Sequence, residues 1–179
     1  MTDKKIDNWD YLAKVPDHMT HYKREFGMFA GLWKKKVKVE LLKIVNLEGK
    51  MTAEVGCGSG FFGEIAKENG VTIDYGFDIT STLVRASEGK YKHVAVGSSD
   101  QLPLESNTVD VIFLPEVIAY VNQKLTFIEC NRVLKSGGYV ILTVPTNIIM
   151  EPNVLFDVVH DYKVFFGSGF RRIMVLKRW

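Results

Sequence analysis

Short apolar runs alternate with helical segments from Met51 onward, and this alternation restricts the fold more than any other feature of the sequence. Five of the runs are predicted strands, and two of them, VIFL and YVILTV, are unbroken apolar stretches. Unbroken stretches are typical of parallel strands that are covered on both faces. The alternation therefore predicts right-handed crossovers and an α/β fold with a doubly wound, mostly parallel sheet.

The first 48 residues differ from the rest because they carry no strand signal. Within them, an amphipathic helix is predicted from Trp33 to Asn46, since apolar residues recur at helical spacing with lysines on the other side. At 179 residues the whole chain has the size of one domain. We expect a single domain over residues 1–179, with residues 1–48 as a helical lid or extension and residues 49–179 as the α/β core.

The tail after the fifth predicted strand is short. Residues 152–162 predict a brief helix. Residues 162–166 and 170–179 are apolar runs on either side of Gly167-Ser168-Gly169, which predicts a compact closing hairpin and a sheet of seven strands. A helix that runs into one final strand is the competing prediction.

Composition and charge exclude several classes of protein. A formal net charge of +2 is too balanced for a dedicated nucleic-acid binder. No apolar run reaches the roughly 20 residues that span a bilayer, and the first residues lack the apolar core of a secretory signal. Only two cysteines occur, Cys57 and Cys130, and they lie far apart in the sequence. A disulfide framework is therefore not expected, which is typical of proteins in a reducing compartment. We expect a cytoplasmic protein with no nucleic-acid or membrane partner.

A glycine-rich loop over residues 54–60, EVGCGSG, connects the first predicted strand to a helix. Its glycines let the backbone approach a ligand closely, and the helix that follows offers unpaired N–H groups. The spacing Gly58-x-Gly60-x-x-Gly63 matches a dinucleotide-binding fingerprint, and Asp78 follows about 20 residues later, as that fingerprint expects. The residues alone leave a nicotinamide dinucleotide and other adenosine-containing cofactors open.

Four segments in order resemble one known family. EVGCGSG resembles the first motif of class I S-adenosylmethionine-dependent methyltransferases, and GFDIT resembles the second. GSSDQLPLESNTVDVIF and RVLKSGGYVILTVP are similar to the stretches that enter the fourth and fifth strands of that family. The resemblance implies a Rossmann-like methyltransferase with S-adenosyl-L-methionine as cofactor and a small-molecule acceptor, acting as a monomer or homodimer. It disfavours a nicotinamide-dependent oxidoreductase.

The resemblance also assigns roles to residues. It implies that the backbone of the glycine loop holds the methionine end of the cofactor, that Glu54 orders the loop or meets the amino group, and that Asp78 holds the ribose. Ser98 occupies the position where the family usually has the adenine-binding aspartate, and Asp100 stands two residues later, so either is a candidate. The expected cofactor-binding set is Glu54, Gly56, Cys57, Gly58, Gly60, Asp78, Ile79, Ser98, Ser99, Asp100, Gln101 and Leu114.

The acceptor is expected at Leu114-Pro115-Glu116-Val117, where the fourth strand ends. This tetrapeptide lacks the Asn/Asp-Pro-Pro-aromatic and Pro-Cys signatures of two classes of nucleic-base methyltransferase. In-line methyl transfer is accelerated mainly by alignment, and a general base is needed only if the acceptor carries a proton. Glu116, His21 and Tyr22 are the candidate catalytic residues, and the alternative for Glu116 is a solvated residue at a strand end. No metal site is expected, and a non-catalytic subunit that needs a partner chain is the alternative function.

Overall fold

The computed structural model of the protein describes residues 35–150, 155–166 and 169–179. The first described element is a helix at residues 35–41, α1. It is followed by β1 (Thr52–Val55), α2 (Phe61–Glu68), β2 (Tyr75–Asp78), α3 (Ser81–Ser87), β3 (His93–Val96), β4 (Val109–Pro115), α4 (Gln123–Val133), β5 (Leu134–Pro145), β6 (Phe156–Phe166) and β7 (Gly169–Arg178).

The seven strands form one sheet in the order β3-β2-β1-β4-β5-β7-β6. Strands β1 to β5 run parallel, β7 runs antiparallel to β5, and β6 runs antiparallel to β7. The doubly wound, mostly parallel α/β fold predicted from the sequence is confirmed. Because the strand order reverses between β1 and β4, the crevice at their carboxyl ends is the place where such sheets bind ligands.

Helices cover the sheet on both faces. On one face, Phe127 and Cys130 of α4 pack in a buried cluster with Leu114 of β4. On the other face, Leu41 of α1 and Phe62 of α2 belong to a second buried cluster that contains residues of β4, β5 and β7. Burial on both sides explains why the central strands are apolar at consecutive positions.

The predicted helix over Trp33 to Asn46 is too long at its carboxyl end. In the structure α1 ends at residue 41, and residues 42–45 form a turn and a bend. The N–H groups of Lys43 and Ile44 donate to carbonyls three residues earlier, as in a tightened last turn. The apolar spacing continues past the helix end because these turn residues also lie partly against the core.

The brief helix predicted at residues 152–162 is wrong, because residues 156–166 form β6. The closing hairpin is confirmed, and the competing prediction of one final strand is wrong. Strand β6 pairs with β7 from Phe156↔Arg178 to Phe166↔Gly169. A short isolated helix has no comparable source of stability, so pairing with β7 decides the conformation of this segment.

None of the described helices is both long enough and apolar enough to span a membrane.

Candidate cofactor and acceptor site

The glycine loop is fixed to the end of β2 by backbone hydrogen bonds. The N–H groups of Gly56 and Cys57 both donate to the carbonyl oxygen of Phe77, at 2.7 and 2.8 Å. Gly56, Gly58 and Gly60 have φ angles of 76°, 53° and 87°, a left-handed region that favours glycine. A Cβ atom on Gly58 would meet nothing within 4 Å. The loop therefore leaves open space above Gly58, where a ligand can approach the backbone.

Asp78 lies at the end of β2 with its carboxylate held against the loop. Its Oδ2 atom accepts a hydrogen bond from the N–H of Gly58 at 2.9 Å, and its Oδ1 atom accepts one from the N–H of Thr80 at 2.9 Å. Each oxygen keeps a second lone pair that can accept a ribose hydroxyl. The neighbouring Ile79 side chain is 67% exposed, which leaves an apolar surface beside the carboxylate. These contacts fit the ribose and adenine roles that the sequence predicts.

Residues 98–101 form a tight turn after β3. The Ser98 hydroxyl donates to the Asp100 carboxylate, and the N–H of Gln101 donates to the carbonyl of Ser98 at 3.0 Å. Ser98 and Asp100 thus lie together, and both remain candidates for the adenine edge. Ser99 differs, because its hydroxyl is bonded to the hydroxyl of Thr126 on α4 at 2.9 Å.

Leu114 also belongs to the predicted cofactor-binding set. It is fully buried in the core against α4. Its side chain is therefore part of the packing of the sheet, and only its backbone is available to a ligand.

Cys57 and Cys130 are both free and buried. Burial raises the pKa of each thiol to about 12, so neither is a thiolate at neutral pH. The Cys57 thiol packs 3.9 Å from the Ser87 hydroxyl oxygen, beneath the loop. Cys57 therefore acts as a small buried residue of the loop rather than as a nucleophile.

Glu54 is a buried carboxylate beneath the glycine loop. Only 2% of its surface is exposed, and its Oε2 atom accepts a hydrogen bond from the Tyr91 hydroxyl at 2.5 Å. The Tyr91 oxygen in turn accepts from the N–H of Gly63 at 3.2 Å. Sequence reasoning missed Tyr91, because nothing in the chain marks a tyrosine 37 positions away as the partner of a loop carboxylate. Burial raises the pKa of Tyr91, which keeps it protonated as a donor.

The ionisation of Glu54 is expected to make the stability of the protein depend on pH. Burial raises the pKa of Glu54 from 4.5 to about 7, while the charge of Lys38 and the Tyr91 hydrogen bond oppose this rise and Asp78 adds to it. Between these two values the folded protein binds a proton that the unfolded chain does not. Stability from this group is therefore lost as the pH rises from about 4.5 to about 7.

Glu54→Gln is expected to remove this loss. Between pH 5.5 and 8.0, the melting temperature of the wild type should fall by about 4–8 °C more than that of the variant. This difference corresponds to about 2 kcal/mol of unfolding free energy lost through Glu54 in this pH range. The exposed carboxylate Glu64 is the matched control, and Glu64→Gln should follow the wild type. Parallel melting curves of wild type and Glu54→Gln across this pH range would contradict the expectation.

Glu116 follows β4 in a strained backbone conformation. Its φ angle is 66°, which is uncommon for a residue other than glycine. The N–H of Glu116 donates to both the carbonyl and the hydroxyl oxygen of Thr143 at 3.1 Å, and its Oε2 atom accepts from Nε of Arg171 at 3.1 Å. Glu116 is thus held by two neighbouring strands and is more than a solvated strand end. A strained residue held in this way is typical of functional sites.

Arg171 is the second functional candidate that the sequence did not indicate. It lies near the start of β7, in register with Pro145 at the end of β5, so the antiparallel hairpin carries it to the same edge of the sheet as Glu116. The sequence signal for this contact is absent, because the two residues are 55 positions apart.

His21 and Tyr22 lie outside the described residues, as do the other residues before position 35. Among the residues that the structure does describe, no group of three or more histidines, cysteines or carboxylates could hold a metal ion.

A protein family described as a methyltransferase domain matches residues 53–142, which is half of the chain. The chain is also 29% identical over 107 residues to a probable S-adenosylmethionine-dependent methyltransferase of Mycolicibacterium smegmatis. That similarity covers 58% of this chain and 41% of the relative. The chain therefore spans less than half the length of that curated relative.

Two solved structures share the fold. One is the methyltransferase in a complex with the Haloferax volcanii Trm112 methyltransferase activator, with a TM-score of 0.73, 16% identity, and coverage of 94% of this chain and 96% of that chain. The other is magnesium protoporphyrin IX methyltransferase of Synechocystis PCC 6803 with bound S-adenosylmethionine, with a TM-score of 0.66, 15% identity, and coverage of 95% and 94%. At these identities the likeness extends to the fold alone.

The matched range contains the glycine loop, Asp78 and Glu116, and its strands have the order described above. The predicted family and its cofactor, S-adenosyl-L-methionine, are thereby confirmed. This chain belongs to the methyltransferase domain family, within the class I S-adenosylmethionine-dependent methyltransferases that its motifs resemble.

Proposed function

We propose that this chain transfers a methyl group from S-adenosyl-L-methionine to a small-molecule acceptor by in-line displacement. The observation that carries the proposal is the Asp78 carboxylate bonded to the N–H of Gly58, beside open space and the exposed Ile79 side chain. Together these groups form a cradle for an adenosine, with a carboxylate for the ribose and an apolar surface for the base.

The residues of the chain fit the cofactor along the whole edge between β2 and β1. Asp78 would hold the ribose and Ile79 the adenine face, with Ser98 or Asp100 at the adenine edge. The left-handed glycines would let the loop backbone pass close to the methionine end. Glu54, held by Tyr91, would accept from the amino group. When bound, the cofactor supplies an electrophilic methyl group on a positively charged sulfur.

The acceptor is proposed to lie beside Glu116, at the edge of the sheet where β4, β5 and β7 meet. The ion pair between Glu116 and Arg171 provides fixed polar groups there. The Glu116 side chain is 39% exposed and the Arg171 side chain 24% exposed. A side chain so fixed can orient an acceptor, and alignment supplies much of the acceleration of such a displacement. If the acceptor carries a proton, Glu116 is proposed as its base, with His21 and Tyr22 as the other proposed catalytic residues.

The small-molecule character of the acceptor is supported by a 30% identity over 121 residues to phosphoethanolamine N-methyltransferase 1 of Triticum aestivum, covering 60% of this chain and 24% of that relative. We also propose that residues 1–48 cover the site as a lid within one domain. In support, Val37 and Leu41 of α1 are buried in the same cluster as Phe62, near the start of α2. The cytoplasmic setting remains a proposal, supported by two cysteines that are free and buried.

A non-catalytic subunit that needs a partner chain is the second candidate function. The structural relative from Haloferax volcanii occurs in a complex with an activator protein. This observation favours testing activity with and without a partner.

The proposed function is tested by binding first and by turnover second. S-adenosylhomocysteine at ten times its Kd should raise the melting temperature, because a ligand that binds only the folded state stabilises it by RT ln(1 + [L]/Kd). NADH should not raise it. Stabilisation by NADH and none by S-adenosylhomocysteine would overturn the proposal. Among small amines, phenols and carboxylic acids, release of S-adenosylhomocysteine identifies the acceptor, and tight binding without any turnover favours the partner-dependent subunit.

A further inference from the structure

Lys38 belongs to α1, outside the range that matches the family, and it contacts the first two residues of α2, directly after the glycine loop. Its Nζ atom is 5.1 Å from the ring centroid of Phe62 and 5.7 Å from that of Phe61. Phe61 is the first residue of α2, directly after Gly60. The packing of α1 on the sheet therefore carries an ammonium group to the helix that follows the loop.

The charges of two carboxylates act on this ammonium group. They belong to Glu54, at the end of β1, and to Glu116, after β4. Neither forms an ion pair with it among the described residues, because Glu54 is bonded to Tyr91 and Glu116 to Arg171. Burial lowers the pKa of Lys38, and this effect is larger than the opposing effect of the two carboxylates. In the described chain, the Lys38 ammonium thus has attractive charges nearby but no oxygen atom in direct contact.

Lys38 is partly buried, and an ammonium group that is shielded from water without an oxygen partner is costly, so such groups are normally paired. The cost is offset when an anionic ligand enters and accepts its N–H donors. A carboxylate is the anion that fits, since charge-assisted bonds between ammonium and carboxylate groups are short and strong.

We propose that Lys38 binds a ligand carboxylate at the glycine loop, and that Lys38 and Glu54 together form a receptor for the zwitterionic amino-acid end of the cofactor. Lys38 would donate to the carboxylate while Glu54 accepts from the ammonium group. The inference rests on the proposed function, because it assumes that this cofactor binds the loop. A carboxylate on the acceptor has the same chemistry and is the second possible source.

The test compares two ligands and two variants by isothermal titration calorimetry. S-adenosylhomocysteine carries the amino-acid end, and 5′-methylthioadenosine lacks it. Lys38→Met removes the charge and keeps the length of the side chain. Lys35→Met is the matched control on the same helix, where Lys35 makes an exposed ion pair with Glu68 at 2.6 Å. A cycle of ligands and variants isolates the contact between Lys38 and the amino-acid end.

We expect Lys38→Met to weaken the binding of S-adenosylhomocysteine by at least about tenfold, as for the loss of one charge-assisted hydrogen bond. The affinity for 5′-methylthioadenosine should stay unchanged. Lys35→Met should change neither.

The second source is tested with sodium propionate, added to the S-adenosylhomocysteine complex against sodium chloride at equal ionic strength. In one outcome, Lys38→Met leaves the affinity for S-adenosylhomocysteine unchanged, and propionate stabilises the complex of the wild type but not that of the variant. The bound carboxylate then belongs to the acceptor. The inference would be overturned if Lys38→Met weakened the binding of both nucleosides equally. It would also be overturned if the variant changed neither these affinities nor the response to propionate. If the wild type binds no S-adenosylhomocysteine, the proposed function itself fails, and that result is distinct from a failure of Lys38.

Discussion

Gly56→Ala is expected to lower the melting temperature by about 6–12 °C, because the free energy of unfolding should fall by about 3 kcal/mol. Two physical effects add at this position. A Cβ atom would lie 2.3 Å from Cγ2 of Val117, far inside contact distance, and the φ angle of 76° is unfavourable for alanine. Since Val117 follows the strained Glu116, the displaced contact would also shift the proposed acceptor side of the site. Thermal unfolding measured by circular dichroism checks the expectation.

Two further variants separate the contact from the backbone strain. Gly58 has a φ angle of 53° and open space above it, so Gly58→Ala should cost only about 1 kcal/mol, or about 2–4 °C. Adding Val117→Ala to Gly56→Ala should recover part of the lost stability by removing the clash. A Gly56→Ala protein as stable as Gly58→Ala would show that Val117 gives way at no cost, against the expectation.

Asp78→Ala is expected to weaken S-adenosylhomocysteine binding by at least about 100-fold, which is about 3 kcal/mol. Its carboxylate is the proposed acceptor for the ribose hydroxyls, and bonds to a charged acceptor are the strong ones. The same carboxylate accepts from the N–H groups of Gly58 and Thr80, so its loss also releases the loop. Calorimetric titration measures the change, and unchanged affinity would overturn the ribose assignment.

A deoxyribose ligand distinguishes ribose binding from loop release. In the wild type, the 2′-deoxy analogue of S-adenosylhomocysteine should bind more weakly than the parent ligand. In Asp78→Ala the two should bind equally, because the partner of the missing hydroxyl is gone. Asp78→Asn, which keeps one acceptor oxygen, should lie between wild type and alanine. A preference for the parent ligand that persists in Asp78→Ala would mean that another residue binds that hydroxyl.

The local geometry on the proposed cofactor side follows largely from signals in the sequence. A strand, a glycine-rich loop and a helix have local signals, and Asp78 follows at a spacing set by one helix and one strand. The structure adds why these residues act together, since the Gly58 N–H bonds the Asp78 carboxylate directly. Within the predicted set, Ser99 and Leu114 are different, because their side chains pack toward α4.

The acceptor side was predictable only in part. Glu116 is found by its position after the fourth strand, but its left-handed backbone and its bond to Arg171 depend on β7. The helix predicted at residues 152–162 is wrong for the same reason. Residues 156–166 carry a pattern that fits a short helix, and only pairing with β7 makes them a strand.

Taken alone, the sequence determined the α/β class, the order of the elements from β1 to β5, and the position of the glycine-rich loop that is proposed to hold the cofactor. Each of these is written in local periodicity and in glycine and aspartate spacing, which a linear chain displays directly. The tertiary structure alone decided which distant side chains meet around the proposed site. Tyr91 reaches Glu54, Arg171 reaches Glu116, and Lys38 lies above Phe61 and Phe62. The physical reason is that these contacts join separate elements across the sheet, so their partners are set by strand order and helix packing rather than by sequence spacing.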